Sequence, residues 1–127
     1  MSGFVLDASA VIAELFDEPG ADAVHEAIES GATMSAVNAA EVAAKLGADG
    51  WADAEVPLVF DGIDIVPFDL PHALLSGRYR QTTRHLGLGL GDRACLAAAC
   101  LSQQPALTAD RAWRSLVIEG VEIICIR

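Results

Sequence analysis

The sequence has no apolar run long enough to cross a membrane. Its longest, Ala94 to Leu101, is eight residues, where a span needs about 20. No basic segment followed by an apolar core opens the chain, so no signal peptide is expected and the protein is read as cytoplasmic. Cysteine is scarce. Cys95, Cys100 and Cys125 have no metal-type spacing, and their odd number argues against a disulfide framework. They are expected to be small buried hydrophobes in a reducing compartment. His25, His72 and His85 stand far apart without ligand spacing and read as surface or helix-end residues. The glycine run at residues 87–91 lacks the Gly-Lys-Ser/Thr ending of a phosphate loop and the spacing of a dinucleotide fingerprint. There is no linker, repeat or low-complexity segment.

Positive charge is the scarcest commodity. The chain holds 8 Lys and Arg against 18 Asp and Glu, for a net charge of −10. That total argues against generic nucleic-acid binding. The distribution is uneven, however. Residues 1–70 carry 14 of the acids and one base, Lys45. Residues 71–127 carry four acids and seven bases, all of them arginine. Arginine favours phosphates, carboxylates and buried ion pairs over a merely solvated surface. The stretch from Arg78 to Arg114 therefore suits a local phosphate-contacting surface or a dimer interface.

What the chain does have is core. It is 127 residues long and 53% hydrophobic, which suits one globular domain spanning residues 1–127. The apolar run Gly3 to Leu6 does not alternate, as expected of a strand buried on both faces, and it ends on Asp7. Further strands are expected at residues 32–35, 63–66, 106–108 and 121–125. Helical patterns separate them: one after Ser9 stopped by Pro19-Gly20, then residues 21–29, 38–46, 52–62, 71–86, 92–102 and 111–117. Strands alternating with helices predict an α/β fold, a three-layer α/β/α sandwich around a parallel, roughly five-stranded sheet. The switch point of such a sheet is expected between the first and fourth strands, which would bring Asp7 near Asp110.

Four acids stand out by position: Asp7, Glu41, Asp92 and Asp110. Each has a simpler explanation as a helix cap, and Asn38-Ala39-Ala40-Glu41 reads as a capping box. As a set they converge on one end of the sheet. Two carboxylates ~4 Å apart repel by ~4 kcal/mol at an effective dielectric of 20, so such a cluster needs a counter-charge. An all-oxygen donor set suits Mg²⁺ or Mn²⁺.

These residues carry a resemblance. Val5-Leu6-Asp7-Ala8-Ser9-Ala10, Ser35-x-x-Asn38-x-x-Glu41, Leu88-Gly89-Leu90-Gly91-Asp92-Arg93-Ala94 and Leu107-Thr108-Ala109-Asp110 resemble, in order and spacing, the motifs of PIN-domain ribonucleases. The chain's size resembles the VapC-type toxins of toxin–antitoxin pairs. The resemblance covers essentially the whole chain. It implies a PIN-like fold and a metal-dependent endoribonuclease with Asp7, Glu41, Asp92 and Asp110 as its acidic quartet. Asp7, Asp92 and Asp110 would hold Mg²⁺ or Mn²⁺. Ser9, Asn38 and Thr108 would support the site. A homodimer and a cognate antitoxin are implied as well, with the second helix and residues 52–61 as a candidate antitoxin groove.

The resemblance implies a small residue where Arg93 stands, and Arg93 departs from it. With Arg111 and Arg114 it is a candidate for holding flanking RNA phosphates. Trp113 is expected to pack on the sheet rather than stack on a base. Three readings compete with the nuclease: a catalytically inactive binding module of the same fold, an aspartyl-phosphate enzyme centred on Asp7, and a phosphoacceptor receiver domain, which also expects a late lysine. The second wants another acid two residues on, where Ser9 stands, and a downstream lysine, of which there is none after Lys45.

Overall fold

A computed structural model describes residues 3–127. Five short strands form one parallel sheet in the order β3-β2-β1-β4-β5. They are β1 (Phe4–Leu6), β2 (Ala32–Ser35), β3 (Ile63–Val66), β4 (Ala106–Thr108) and β5 (Ile123–Cys125). The helices are α1 (Ala8–Leu15), α2 (Ala21–Ser30), α3 (Ala36–Ala48), α4 (Leu70–Thr82) and α5 (Leu90–Ser102). The chain builds outward from β1 through β2 to β3. It then returns to lay β4 on the other side of β1, with Val5 beside Ala106 and Leu6 beside Leu107. The expected switch point between the first and fourth strands is therefore present, at the C-terminal edge where open α/β sheets place their sites.

Strand alternation divides the core in two. Val5 and Ala106 face one side with α5, Tyr79 and Trp113. Leu6, Met34 and Leu107 face the other with buried residues of α1, α2 and α3. Helix α5 is buried almost all round, from Ala94 to Ala99, as a helix without a polar face must be. Its small side chains let it lie between the sheet and α4.

Several element boundaries differ from the sequence expectation. Helix α3 begins at Ala36, with Ser35 as its N-cap accepting from the Val37 N–H at 3.2 Å. Asn38 is thus inside the helix and fully buried, and the expected capping box at Asn38-Glu41 does not form. Helix α5 begins at Leu90, two residues ahead of the expected start at residue 92, so Leu90 and Gly91 are helical and Asp92 is the third residue of the helix. Residues 52–62 form only a short 3-10 turn, Val56–Phe60; Pro57 supplies no N–H to build a longer helix. The helix expected to reach residue 86 stops at Thr82. There the Thr83 hydroxyl and N–H both donate to the Tyr79 carbonyl, and a separate 3-10 turn, Arg84–Leu86, follows. The segment after Asp110 is likewise a 3-10 turn, Arg111–Ser115. Cys95 is buried, whereas Cys100 and Cys125 are half-buried, and all three thiols are free. Among the described residues no helix is long and apolar enough to cross a membrane.

Trp113 is fully buried in the β1–α5 core, which removes it from any base-stacking role. Replacing it by alanine is expected to cost ~3–5 kcal/mol of stability, read as a drop in the urea midpoint. A loss under ~1 kcal/mol would show that the pocket around the ring is not the close-packed core described here.

Candidate active site

The C-terminal edge of the sheet gathers side chains from β1, β4, α3 and α5. Asp7 leaves the central strand at the N-cap position of α1, but its carboxylate does not cap that helix. Oδ2 instead accepts from the Ser9 hydroxyl at 2.7 Å and the Thr108 hydroxyl at 3.0 Å. Those hydroxyls are themselves 3.2 Å apart. Ser9 Oγ accepts from the Ala109 N–H at 2.9 Å, and Thr108 Oγ1 from the Asp110 N–H at 3.1 Å. One polar knot thus fastens the end of β1 to the end of β4. Asp110 begins the next turn, where Oδ1 accepts from the Ala112 N–H at 2.9 Å.

Glu41 and Asp92 approach from the helices. Asn38 Nδ2 donates at 2.9 Å both to Glu41 Oε1 and to the Gly91 carbonyl. This single buried amide ties α3 to the first turn of α5. The Glu41 carboxylate lies over Gly91 so closely that a Cβ there would overlap it. Asp92 Oδ2 accepts from the Gly89 N–H at 3.3 Å. The cap explanation therefore holds for Asp110 and in part for Asp92, and fails for Asp7 and Glu41.

Exposure rises from floor to rim. Asp7 is 4% exposed, Asp92 and Asp110 are half-buried, and Glu41 is exposed. Burial above all pushes the Asp7 carboxyl up to about 6; Asp92 and Glu41 add to the rise, and the two hydroxyl bonds oppose it. Asp92 is raised by burial first, then by Glu41 and Asp110, against the Gly89 N–H and the charge of Arg93. The buried Cys95 thiol is held well above its ordinary value by burial and by Asp7, Asp92 and Glu41. The four acids thus share one electrostatic neighbourhood. Among the described residues the ion pairs join His25 to Glu14 and Glu29, Lys45 to Asp49, and Arg127 to Glu18. None of them engages the quartet.

Each carboxylate is oriented by hydrogen bonds to one oxygen, which leaves Asp7 Oδ1, Glu41 Oε2, Asp92 Oδ1 and Asp110 Oδ2 without a partner among the described residues. In the positions shown, no three of the described His, Cys, Asp and Glu side chains are gathered tightly enough to share an ion. The donor chemistry nonetheless fits a hard divalent cation: oxygens only, uncompensated charge, and one free lone-pair oxygen on each acid.

The arginines divide. Arg93 is half-buried and spans the gap to α4, donating from Nε to the Leu88 carbonyl at 3.3 Å and from Nη1 to the Ser76 carbonyl at 3.1 Å. Arg111 is exposed. Arg114 is exposed and donates to the main-chain oxygen of Arg127 at 2.7 Å. Sequence reading missed Gly91, whose lack of a side chain makes room for Glu41. The signal that could have found it was a buried-helix glycine next to a candidate acid.

A family model for the PIN domain matches residues 4–118. Among solved structures the fold is similar to a toxin–antitoxin complex from Klebsiella pneumoniae, with 21% identity over 98% of both chains and a TM-score of 0.73. It is also similar to DNA-bound VapBC from Salmonella typhimurium, with 18% identity over 100% of both chains and a TM-score of 0.73. VapBC-5 from Mycobacterium tuberculosis gives 21% identity over 98% of this chain and 99% of that one, with a TM-score of 0.64. No curated protein matches the sequence.

Asp7 sets a pH dependence of stability. Its folded value of about 6 lies above its ordinary 3.8, so the folded state binds the proton more tightly. Parent stability should therefore fall as pH rises from about 4 to about 6, by ~3 kcal/mol in all. Asp7→Asn keeps an oxygen for Ser9 and Thr108 and cannot ionise. In chelator it should be more stable than the parent above about pH 7 and lose that advantage below about pH 4. Urea curves that stay parallel across this range would refute the assignment.

Proposed function

The chain belongs to the PIN domain family, and from that premise we propose that it is a metal-dependent endoribonuclease, the toxin of a toxin–antitoxin pair. The observation that carries the reading is the quartet itself: four interacting carboxylates, no cationic side chain paired with them among the described residues, and one free oxygen on each. The toxin–antitoxin titles of the structures similar in fold support the biological setting. A cognate antitoxin, a homodimer and a cytoplasmic location belong to the same proposal.

In this reading Asp7, Asp92 and Asp110 hold Mg²⁺ or Mn²⁺. When bound, such an ion supplies an activated water and stabilises the leaving oxygen of a phosphodiester. The protein's own residues set up the rest. Ser9 and Thr108 fix the rotamer of Asp7 by holding one carboxylate oxygen, so the other points away from the knot. Asn38 does the same for Glu41 while locking α3 against α5. Glu41, exposed at the rim, is placed to accept a proton from an attacking water. Burial raises the affinity of Asp7 for protons, so below about pH 6 a proton on its carboxyl would compete with a cation for the site. The field of four acids repels RNA until cations offset it, and that offset ties substrate binding to loading of the site.

The test is cleavage of structured cellular RNA by the partner-free protein with Mg²⁺, with Mn²⁺ and with chelator. Discrete cuts are expected with either metal and none with chelator. Asp7→Ala and Asp92→Ala should lower the rate by more than ~100-fold, since even supporting residues cost 10–100-fold at metal sites. Cutting that persists in chelator, or in both variants, would remove the reading. If nothing cuts and the variants bind metal as the parent does, the inactive binding module takes its place.

Gly91 gives an independent check. Gly91→Ala adds a helix-favouring residue worth up to ~1 kcal/mol, and the flexible Glu41 can swing aside, so the fold should survive. The rate of RNA cleavage with Mn²⁺ should nevertheless fall by ~10–100-fold. An unchanged rate would show that the position of Glu41 does not matter to the reaction.

A further inference from the structure

Arg80, Arg84 and Arg93 line one cleft with Gln81 and the backbone of Gly87, Leu88 and Gly89, of about 500 Å³. That volume lies within the ~300–1,000 Å³ of ligand pockets. The chain has 18 acids and 8 bases, yet this cleft draws in three bases and no acid. None of the three arginines is in an ion pair among the described residues. Arg93 is held by two carbonyls, which orient the guanidinium without neutralising it, and its Nη2 makes no hydrogen bond among the described residues. Arg80 lies in the last turn of α4, where a cation complements the helix dipole. The dipole does not account for Arg84 in the next turn or for Arg93 on another helix. Gathering like charges without partners is mildly unfavourable even when solvent screens them, and an anion in the cleft would offset it.

The cleft lies next to Asp92, one of the four acids. Gly89 lines it and also donates its N–H to Asp92, and Arg93 is the next residue after Asp92. We propose that this cleft binds the phosphodiester backbone of single-stranded RNA adjacent to the cleaved bond. The inference rests on the nuclease reading and deepens it by assigning Arg80 and Arg84, with Arg93, to substrate phosphates. Planar guanidinium groups engage phosphate oxygens in pairs. An acidic site that repels RNA gains a neighbouring anchor, and the strand is thereby directed toward the acids.

The experiment measures fluorescence anisotropy of a labelled, randomised single-stranded oligoribonucleotide over a salt series. It uses Asp7→Asn protein with Mg²⁺, so that binding is read without cutting. Arg80 and Arg84 are exposed, so the Arg80→Gln, Arg84→Gln double variant should keep the parent's circular dichroism. Affinity should fall at least ~10-fold, and the slope of log affinity on log salt should shrink by about 1.4, which is 0.7 per lost contact on a single strand. Arg78→Gln removes the same charge at a different cleft, beside Tyr79 and Cys100, and should leave the slope as it was. An unchanged affinity and slope in the double variant would overturn the proposal. So would a parent that binds poly-glutamate in place of RNA, which would give the cleft to an acidic protein segment. Arginine-dependent RNA binding by a parent that cuts no RNA would uphold the cleft and take down the nuclease.

Discussion

Everything at the C-terminal edge depends on placing a carboxylate where little water reaches it. Asp7 ends the central strand of a parallel sheet, with β2 on one side and β4 on the other, so it has no route to solvent along the sheet. Ionising it there costs about 3 kcal/mol relative to an exposed aspartate, by its rise to about 6. A sequence aiming only at stability would place an asparagine or a leucine there. The protein instead surrounds one oxygen with two hydroxyls and leaves the other open. That arrangement fits the cation-holding role proposed for it.

The rest of the site follows from small residues. Asp92 and Glu41 come from different helices, and they come within electrostatic range of Asp7 because α5 and α3 approach closely. The alanines of α5 allow it to lie flat on the sheet. Gly91 removes the last obstacle at the crossing with α3, and the Asn38 amide locks that crossing by bonding both a side chain and a main-chain carbonyl. Packing and electrostatics are therefore one problem here: the residues that close the core are those that bring the like charges together.

Much of this was legible in the sequence. The five strands, their parallel order and the β1/β4 switch followed from short apolar runs alternating with helical patterns, because buried parallel strands and amphipathic helices leave distinct periodicities. The four acids were legible as strand-end and helix-start residues. The helix starts were misread. Asn38 and Asp92 are both strong N-cap types, and local propensity favours them as caps. Ser35 and Gly89 took those positions because the tertiary crossing needs Asn38 buried and Asp92 one turn inside. Residues 52–62 and 111–117 look helical by composition but form only short 3-10 turns, the first limited by Pro57. Arg80 and Arg84 could not be singled out from sequence. Their significance comes from α4 ending early at Thr82, which turns the following residues back toward Arg93 across the gap between α4 and α5.

That early end also decides where part of the chain's uneven charge lies. An acidic first half and an arginine-bearing second half would suggest two opposed surfaces, one for each sign. The fold does something else. The switch point brings Asp7 and Glu41, from the acidic half, against Asp92 and Asp110, from the basic half, so the acidic focus is built from both. The basic focus sits on the turns between α4 and α5, next to it. Two fields of opposite sign in contact are suited to a ligand that is itself a chain of charges. One of its units must lie among the acids, with cations to offset them, while its neighbours lie among arginines that need no such help. A free phosphate or a small neutral substrate would use only one of the two. A polyanionic strand uses both, which is why the arginine cleft and the acidic quartet are better understood as parts of one proposed binding track than as separate features.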